Sequence, residues 1–277
     1  MKLYDFDGMF DAKLSEFIGK NPDKYTESEW EDVIPKMYRR FGDTFIKSVG
    51  DSPKGFYKKL SDEQLVAALT THLKKQVPVS EFLYSELENR NAFGLVAHLL
   101  DGSDSEKECA VNLIGSDERV LDKYLEMLVS DKTDVDLKSR LADLLKEKAD
   151  LVSDKAVNYY GRGVEKEYML EIMSRSVIRS DKIFDILVKE FRCDIDNVPV
   201  CAGYLAAYGD ERALPYLLDK IDEEGISFIE YKELLLAIES LGGTYDKRRD
   251  FSSDPYYGLI KSHELSAADI FENLKDK

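Results

Sequence analysis

Apolar side chains recur three and four positions apart along nearly the whole chain, while the strict alternation of a strand is almost absent, so the pattern predicts helices. Within 117–129 the residues Leu121, Tyr124, Leu125 and Leu128 fall on one face, and within 134–147 Leu137, Leu141, Leu144 and Leu145 do the same. Leu214, Leu217, Leu218 and Ile221 form a third stripe, and Tyr231, Leu234, Leu235, Ile238 and Leu241 a fourth. Near the start, residues 26–49 read as one long helix with Trp30, Val33, Ile34, Met37, Tyr38, Phe41 and Phe45 turned inward and a kink at Pro35, which has no amide hydrogen to give the preceding turn.

Polar residues punctuate these stripes where helices should begin. Ser or Thr is followed three positions later by Glu or Gln at Thr26/Glu29, Ser61/Gln64, Ser103/Glu106 and Ser227/Glu230, a spacing that lets each side chain satisfy the other's free backbone amide. Ser116, Ser180 and Asp210 stand as simpler caps, and glycines such as Gly115, Gly209 and Gly242 fall where helices should end. The helices pair in six hairpins: 61–76 with 79–89, 91–100 with 104–114, 117–129 with 134–147, 151–160 with 164–178, 181–192 with 197–208, and 211–222 with 227–241.

The pairs repeat in sequence as well as in pattern. The stretch from Asn112 to Leu125 returns in outline from Leu205 to Leu218, and the two Asp-Glu-Arg triplets starting at Asp117 and Asp210 lie 93 residues apart, or three periods of 31. A weaker copy begins at Ser180. Gly209, Asp210, Arg212, Ala213, Leu214, Pro215, Leu217 and Leu218, with the preceding Ala202, Leu205 and Ala206, resemble the HEAT-like repeat family in its short bacterial form related to phycobilisome-lyase repeats. Ala110, Leu113, Ile114 and Gly115 match at the earlier copy, and Ala237, Ile238, Leu241 and Gly242 at the last. The resemblance implies an all-α, armadillo-type α-α superhelix, a right-handed solenoid of helical hairpins. On that reading 1–60 is an N-terminal helical cap, 61–243 the repeats, and 244–277 a tail that folds back on the last hairpin and ends in a short helix from Ser266 to Leu274, all in one continuous structural domain.

Composition adds constraints on chemistry. With 39 basic and 55 acidic residues the formal charge is −16, a field that repels phosphate backbones and anionic membranes and speeds encounter with a basic partner. No run of about eighteen apolar residues is present and the N-terminus lacks a secretory block, so a cytoplasmic location is expected. Cys109, Cys193 and Cys201 have no metal-site spacing and sit among apolar neighbours, so they are expected as free, packed thiols. His72, His98 and His263 share no zinc-like spacing, and His98 is expected to be partly buried and hydrogen-bonded.

Two motifs look catalytic and fail on context. Asp5-Phe6-Asp7-Gly8-Met9 resembles the nucleophile motif of haloacid-dehalogenase-like phosphatases, but that motif needs a buried strand before it and a threonine at Met9, so it reads as an acidic turn leading into a helix. The acidic runs 101–108 and 131–136 lack the glycine and terminal glutamate of a calcium loop and read as solvated turns. No catalytic residue, cofactor site or metal site is assigned. Candidate partner-binding residues are Tyr159, Tyr160 and Arg162 at one hairpin turn and Arg248, Arg249, Tyr256 and Tyr257 in the tail, since aromatic and arginine side chains anchor interfaces.

The expected function is a non-enzymatic, monomeric scaffold or adaptor that binds another protein, in a narrower form an acidic, immunity-type neutraliser of a basic one. The competing reading is a HEAT-like DNA glycosylase with Lys138, Arg140, Lys166, Arg175 and Arg179 as its cations, against which the −16 charge weighs. The same family resemblance also admits a lyase that attaches a bilin to cysteine.

Overall fold

A computed structural model describes residues 2–194 and 196–258; the short helix expected at 266–274 and His263 lie outside them. The fold is all-α: among the described residues the one β contact is a single bridge, Ile46 to Asp51. Contacts gather into two compact units, one ending at Val120 and the other beginning at Leu121.

The first unit holds α1 (Phe6–Lys20), α2 (Glu27–Gly42), α3 (Pro53–Lys58), α4 (Asp62–Lys75), α5 (Glu81–Asn89), α6 (Ala92–Val96) and α7 (Asp104–Ile114). Asp5 begins α1 as its cap, its carboxylate accepting from the Gly8 amide at 2.8 Å, which is the acidic turn expected of that motif. Capping boxes start α2 and α4 at Thr26/Glu29 and Ser61/Gln64. At α7 the Ser103 amide donates to the Glu106 carboxylate at 2.9 Å. The core is aromatic at its N-terminal end, where Tyr38 stacks on Phe82 at 4.7 Å and meets Phe10 edge-on at 4.9 Å.

The long helix expected over 26–49 stops at Gly42. A Cβ there would lie 2.5 Å from the Phe82 ring, so the close approach of helix and ring requires glycine. Beyond it Thr44 donates its hydroxyl to the Arg40 carbonyl and the chain turns to the Ile46–Asp51 bridge. Phe45, expected inward, is 66% exposed because it stands past the end of the periodic helix. Gly42→Ala is expected to destabilise the protein by about 1–3 kcal/mol in urea titration, the cost of overpacking a filled site.

The second unit holds α8 (Leu121–Leu128), α9 (Val135–Lys146), α10 (Ala149–Gly161), α11 (Lys166–Ser174), α12 (Asp181–Cys193), α13 (Val198–Tyr208), α14 (Leu214–Ile221) and α15 (Phe228–Ser240). Neighbours in sequence pack in pairs, α8 with α9, α10 with α11, α12 with α13 and α14 with α15. The second members also touch in succession, α9 to α11 to α13 to α15. Asp134 and Ser227 cap α9 and α15 through their side chains.

Repeated residues make repeated contacts. Arg119 reaches back to Asp117 at 2.7 Å and lays its guanidinium 3.9 Å over the Phe93 ring. Arg212 reaches back to Asp210 at 2.7 Å and lies 4.3 Å over Phe184, with a further bond to Asp181. In both cases the arginine clasps its own turn and an aromatic ring of an earlier helix, so the recurring triplet is a structural device. Another tie joins α13 to the start of α12, where the buried Tyr208 hydroxyl accepts from the Ser180 amide at 2.7 Å and donates to the Ser180 carbonyl at 3.2 Å. Asp150 fastens the turn before α12 by accepting from the Ser176 hydroxyl and the Val177 and Ile178 amides. Those donors, Ser176 foremost, hold its carboxyl below the usual range, so this anchor is intact at neutral pH and is lost as pH falls through that lowered value.

Cys109 and Cys201 are buried, as the sequence implied, but Cys193 is exposed at the end of α12. Burial foremost, with the charges of Asp194 and Glu190, pushes the Cys201 thiol up to about 12, and burial raises Cys109 as well. Because only the thiolate reacts, native protein at pH 8 is expected to titrate one thiol rapidly with a disulfide reagent, and all three in denaturant.

Candidate functional site

The expected site residues fall on the second unit, at the turns that join hairpin partners and in the tail. Tyr159 and Tyr160 end α10, which closes with paired bonds from Gly163 to the Tyr160 carbonyl and from Val164 to the Tyr159 carbonyl. Tyr160 is buried and its hydroxyl donates to Glu190 of α12, so it is a packing residue. Arg162 is exposed and lies 5.5 Å from the Tyr159 ring. In the tail Arg249 donates to the Glu223 carbonyl at 2.6 Å, and Tyr257 packs 4.9 Å from Phe228. Arg248 and Tyr256 are exposed, the latter at 57%. The described part of the tail, 244–258, therefore lies against the last helix pair, and two of its four expected contact residues, Arg249 and Tyr257, are spent holding it there.

Three of the five cations of the competing reading are also engaged internally, while Arg140 and Arg175 are exposed. Lys138, buried, pairs with Glu165; Arg179 donates to the Gly209 carbonyl and lies over Tyr208; Lys166 lies 5.4 Å from the Tyr160 ring. His98, expected partly buried, is exposed in the 3-10 turn Ala97–Asp101, whose packing side is taken by Leu99 and Leu100. His72 fills the buried role, with Nδ1 donating to the Pro78 carbonyl at 2.7 Å. Among the described residues, no group of three or more His, Cys, Asp or Glu is placed to hold a metal ion. No described helix is long and apolar enough to cross a membrane.

The first unit has a cleft of about 520 Å³ between α1, α2 and α5, walled by Phe10, Ile34 and Pro35 and rimmed by Asp7, Asp11 and Glu81. Its Tyr38 hydroxyl donates to Asp7, and burial foremost, then that carboxylate, raises its pKa far above the ordinary value. The phenol keeps its proton at physiological pH and ties α2 to α1 through Asp7.

A different feature stands out on α13. In a chain that is 34% charged, Val198–Tyr208 is the one described helix of eight or more residues with no charged side chain. A helix apolar all round is ordinarily buried all round, yet here Val200 is 50% exposed, Gly203 and Ala207 are exposed, and Tyr204 is half-buried. Leu236, 53% exposed, stands on the adjacent α15. On the other side α9 and α11 complete a hollow of about 310 Å³ whose floor is Gly203 and Ala207 and whose rim includes Lys146, Glu171 and Arg175. Lys146 is tied to Glu171 at 3.0 Å and to Asp143 at 2.9 Å. Small residues on the floor and apolar ones beside it form a seat for an aliphatic side chain, edged by Glu171, Lys146 and Arg175, with Glu167 close to Tyr204.

Sequence reading by periodicity passed over Val200, Gly203, Tyr204 and Ala207, because a uniformly apolar stretch has no polar side to define a face. The available signal was the missing charge itself, eleven residues without one.

Compared with protein-family models, with curated proteins and with solved structures, the chain finds no match.

Proposed function

We propose that this protein is a non-enzymatic scaffold of stacked, HEAT-like hairpins that binds a basic partner protein over the face formed by α11, α13 and α15. The observation that carries the reading is the exposed, charge-free α13 in a chain of net charge −16. Exposed apolar area on one repeat row is what such hairpins offer a partner, and it is the kind of patch that marks an interface. Charge directs the choice of partner: on a chain of net charge −16, a segment carrying aliphatic anchors between lysines or arginines gains both desolvation and steering.

The test is site-specific photo-crosslinking of the full chain in its own cell extract, with the crosslinker at Val200 or at Leu236 and a control at exposed Asp131 on another turn. Both face positions are expected to capture the same basic protein, less of it as salt rises, and the control to capture none. Different proteins at the two positions, or an acidic one insensitive to salt, would remove the reading. Retention of duplex DNA on the same protein at low salt, lost on Arg140→Ala and Arg175→Ala, would favour the glycosylase alternative instead.

A further inference from the structure

The tail shows how this protein holds a basic segment. Tyr245, Lys247, Arg249 and Phe251 alternate along the irregular stretch that follows α15. All four meet the last hairpin. Tyr245 donates to Asp222 Oδ1 at 2.7 Å, Lys247 to Asp222 Oδ2 at 2.5 Å, and Arg249 to the Glu223 carbonyl. Phe251 packs 5.0 Å from Tyr231 and 5.4 Å from Phe228. The intervening Asp246, Arg248 and Asp250 are exposed. Asp222, Glu223 and Glu224 form the turn between α14 and α15, so an acidic turn with an aromatic shelf beside it is filled by a basic stretch ending in an aromatic.

We propose that this turn is a receptor for basic–aromatic peptide segments, and that residues 245–251 occupy it in cis as an autoinhibitory latch which a partner segment of the same chemistry displaces. The proposal rests on the reading of the chain as a binder of a basic protein and names a second contact for that partner, apart from the α13 face. Three features make the segment a latch and not a fixed part of the core. It is tethered at one end by Gly242 and Gly243, of which Gly242 has φ +79°, and at the other by the Phe228–Tyr257 contact and by Asp254, which accepts from the Phe228 amide at 2.8 Å. Between these points its ion pair is open to water, with Lys247 69% and Asp222 43% exposed, so salt screens it and its strength is small. The latch holds because tethering raises its local concentration to the order of millimolar, and a segment with more anchors competes.

The experiment uses the full chain and a fluorescein-labelled peptide of residues 244–258, followed by anisotropy in low and physiological salt. Unaltered protein is expected to bind the peptide weakly. Lys247→Glu with Arg249→Glu should open the turn and tighten peptide binding by about 10-fold or more. Adding Asp222→Lys to that variant should abolish the gain, and adding Asp131→Lys instead should leave it unchanged. Slow exchange of the Phe228 amide checks that the distal anchor stands in each variant. Should the opened variant lose that protection, Asp222→Asn in the otherwise unaltered chain replaces it, with faster trypsin cleavage after Lys247 expected. Peptide binding that is equal in closed and opened proteins, or indifferent to Asp222, overturns the latch. If that happens while Val200 and Leu236 still crosslink to a basic protein, the latch is wrong and the scaffold reading stands.

Discussion

A protein carrying Val200→Glu and Leu236→Glu is expected to lose its partner by about 100-fold or more while melting close to the unaltered chain. Both side chains are at least half exposed, so neither supports the core, and surface replacements of this kind change stability by about 0.5 kcal/mol or less. At an interface the same change removes an apolar anchor and places a carboxylate where water is excluded, which costs about 2 kcal/mol or more at each position. A basic partner offers some compensation at the rim, so the loss should be smaller at low salt than at physiological salt. The measurement is a binding isotherm with the captured protein, alongside thermal melts of both chains. Binding within threefold of the unaltered chain would mean that α13 is not the docking face.

Tyr208→Ala is expected to lower the stability of the protein by about 3–5 kcal/mol, the range for removing a fully packed aromatic side chain. Tyr208 is 1% exposed, its ring lies under the Arg179 guanidinium at 4.8 Å, and its hydroxyl ties both backbone groups of Ser180. In a unit of this size each kcal/mol moves the melting temperature by about 2–4 °C, so a drop of about 10 °C is the expected reading. Tyr208→Phe separates the contributions: it keeps the ring and leaves Ser180 without its partners, at about 1 kcal/mol. A Phe variant as unstable as the Ala variant would place the whole effect in the hydroxyl, against the packing account.

The two outcomes depend on different levels of the sequence. Capping chemistry is local, so Thr26, Ser61, Ser103 and Ser227 announced their helices in order, and the stripes through α8, α9, α14 and α15 announced which sides pack. What failed was long-range. Nothing near Phe45 in the sequence says that the helix ends at Gly42, where the Phe82 ring of α5 packs close, and so leaves Phe45 exposed past its end. Tyr160 and Arg249 looked like anchors for another molecule because residue type does not reveal that Glu190 and the Glu223 carbonyl are waiting inside the same chain. The α13 face escaped for the opposite reason: its composition was visible, but only the packing of α11 and α15 beside it shows that one side stays uncovered.

The arginine clasps carry a consequence for how such a chain grows. Arg119 borrows the ring of Phe93 and Arg212 that of Phe184, each from fewer than 31 residues upstream. One copied period therefore contains both the cation and the ring that the next cation needs. Head-to-tail duplication of the segment regenerates the joint without any new mutation, and every added copy arrives already furnished with the surface its successor will grip.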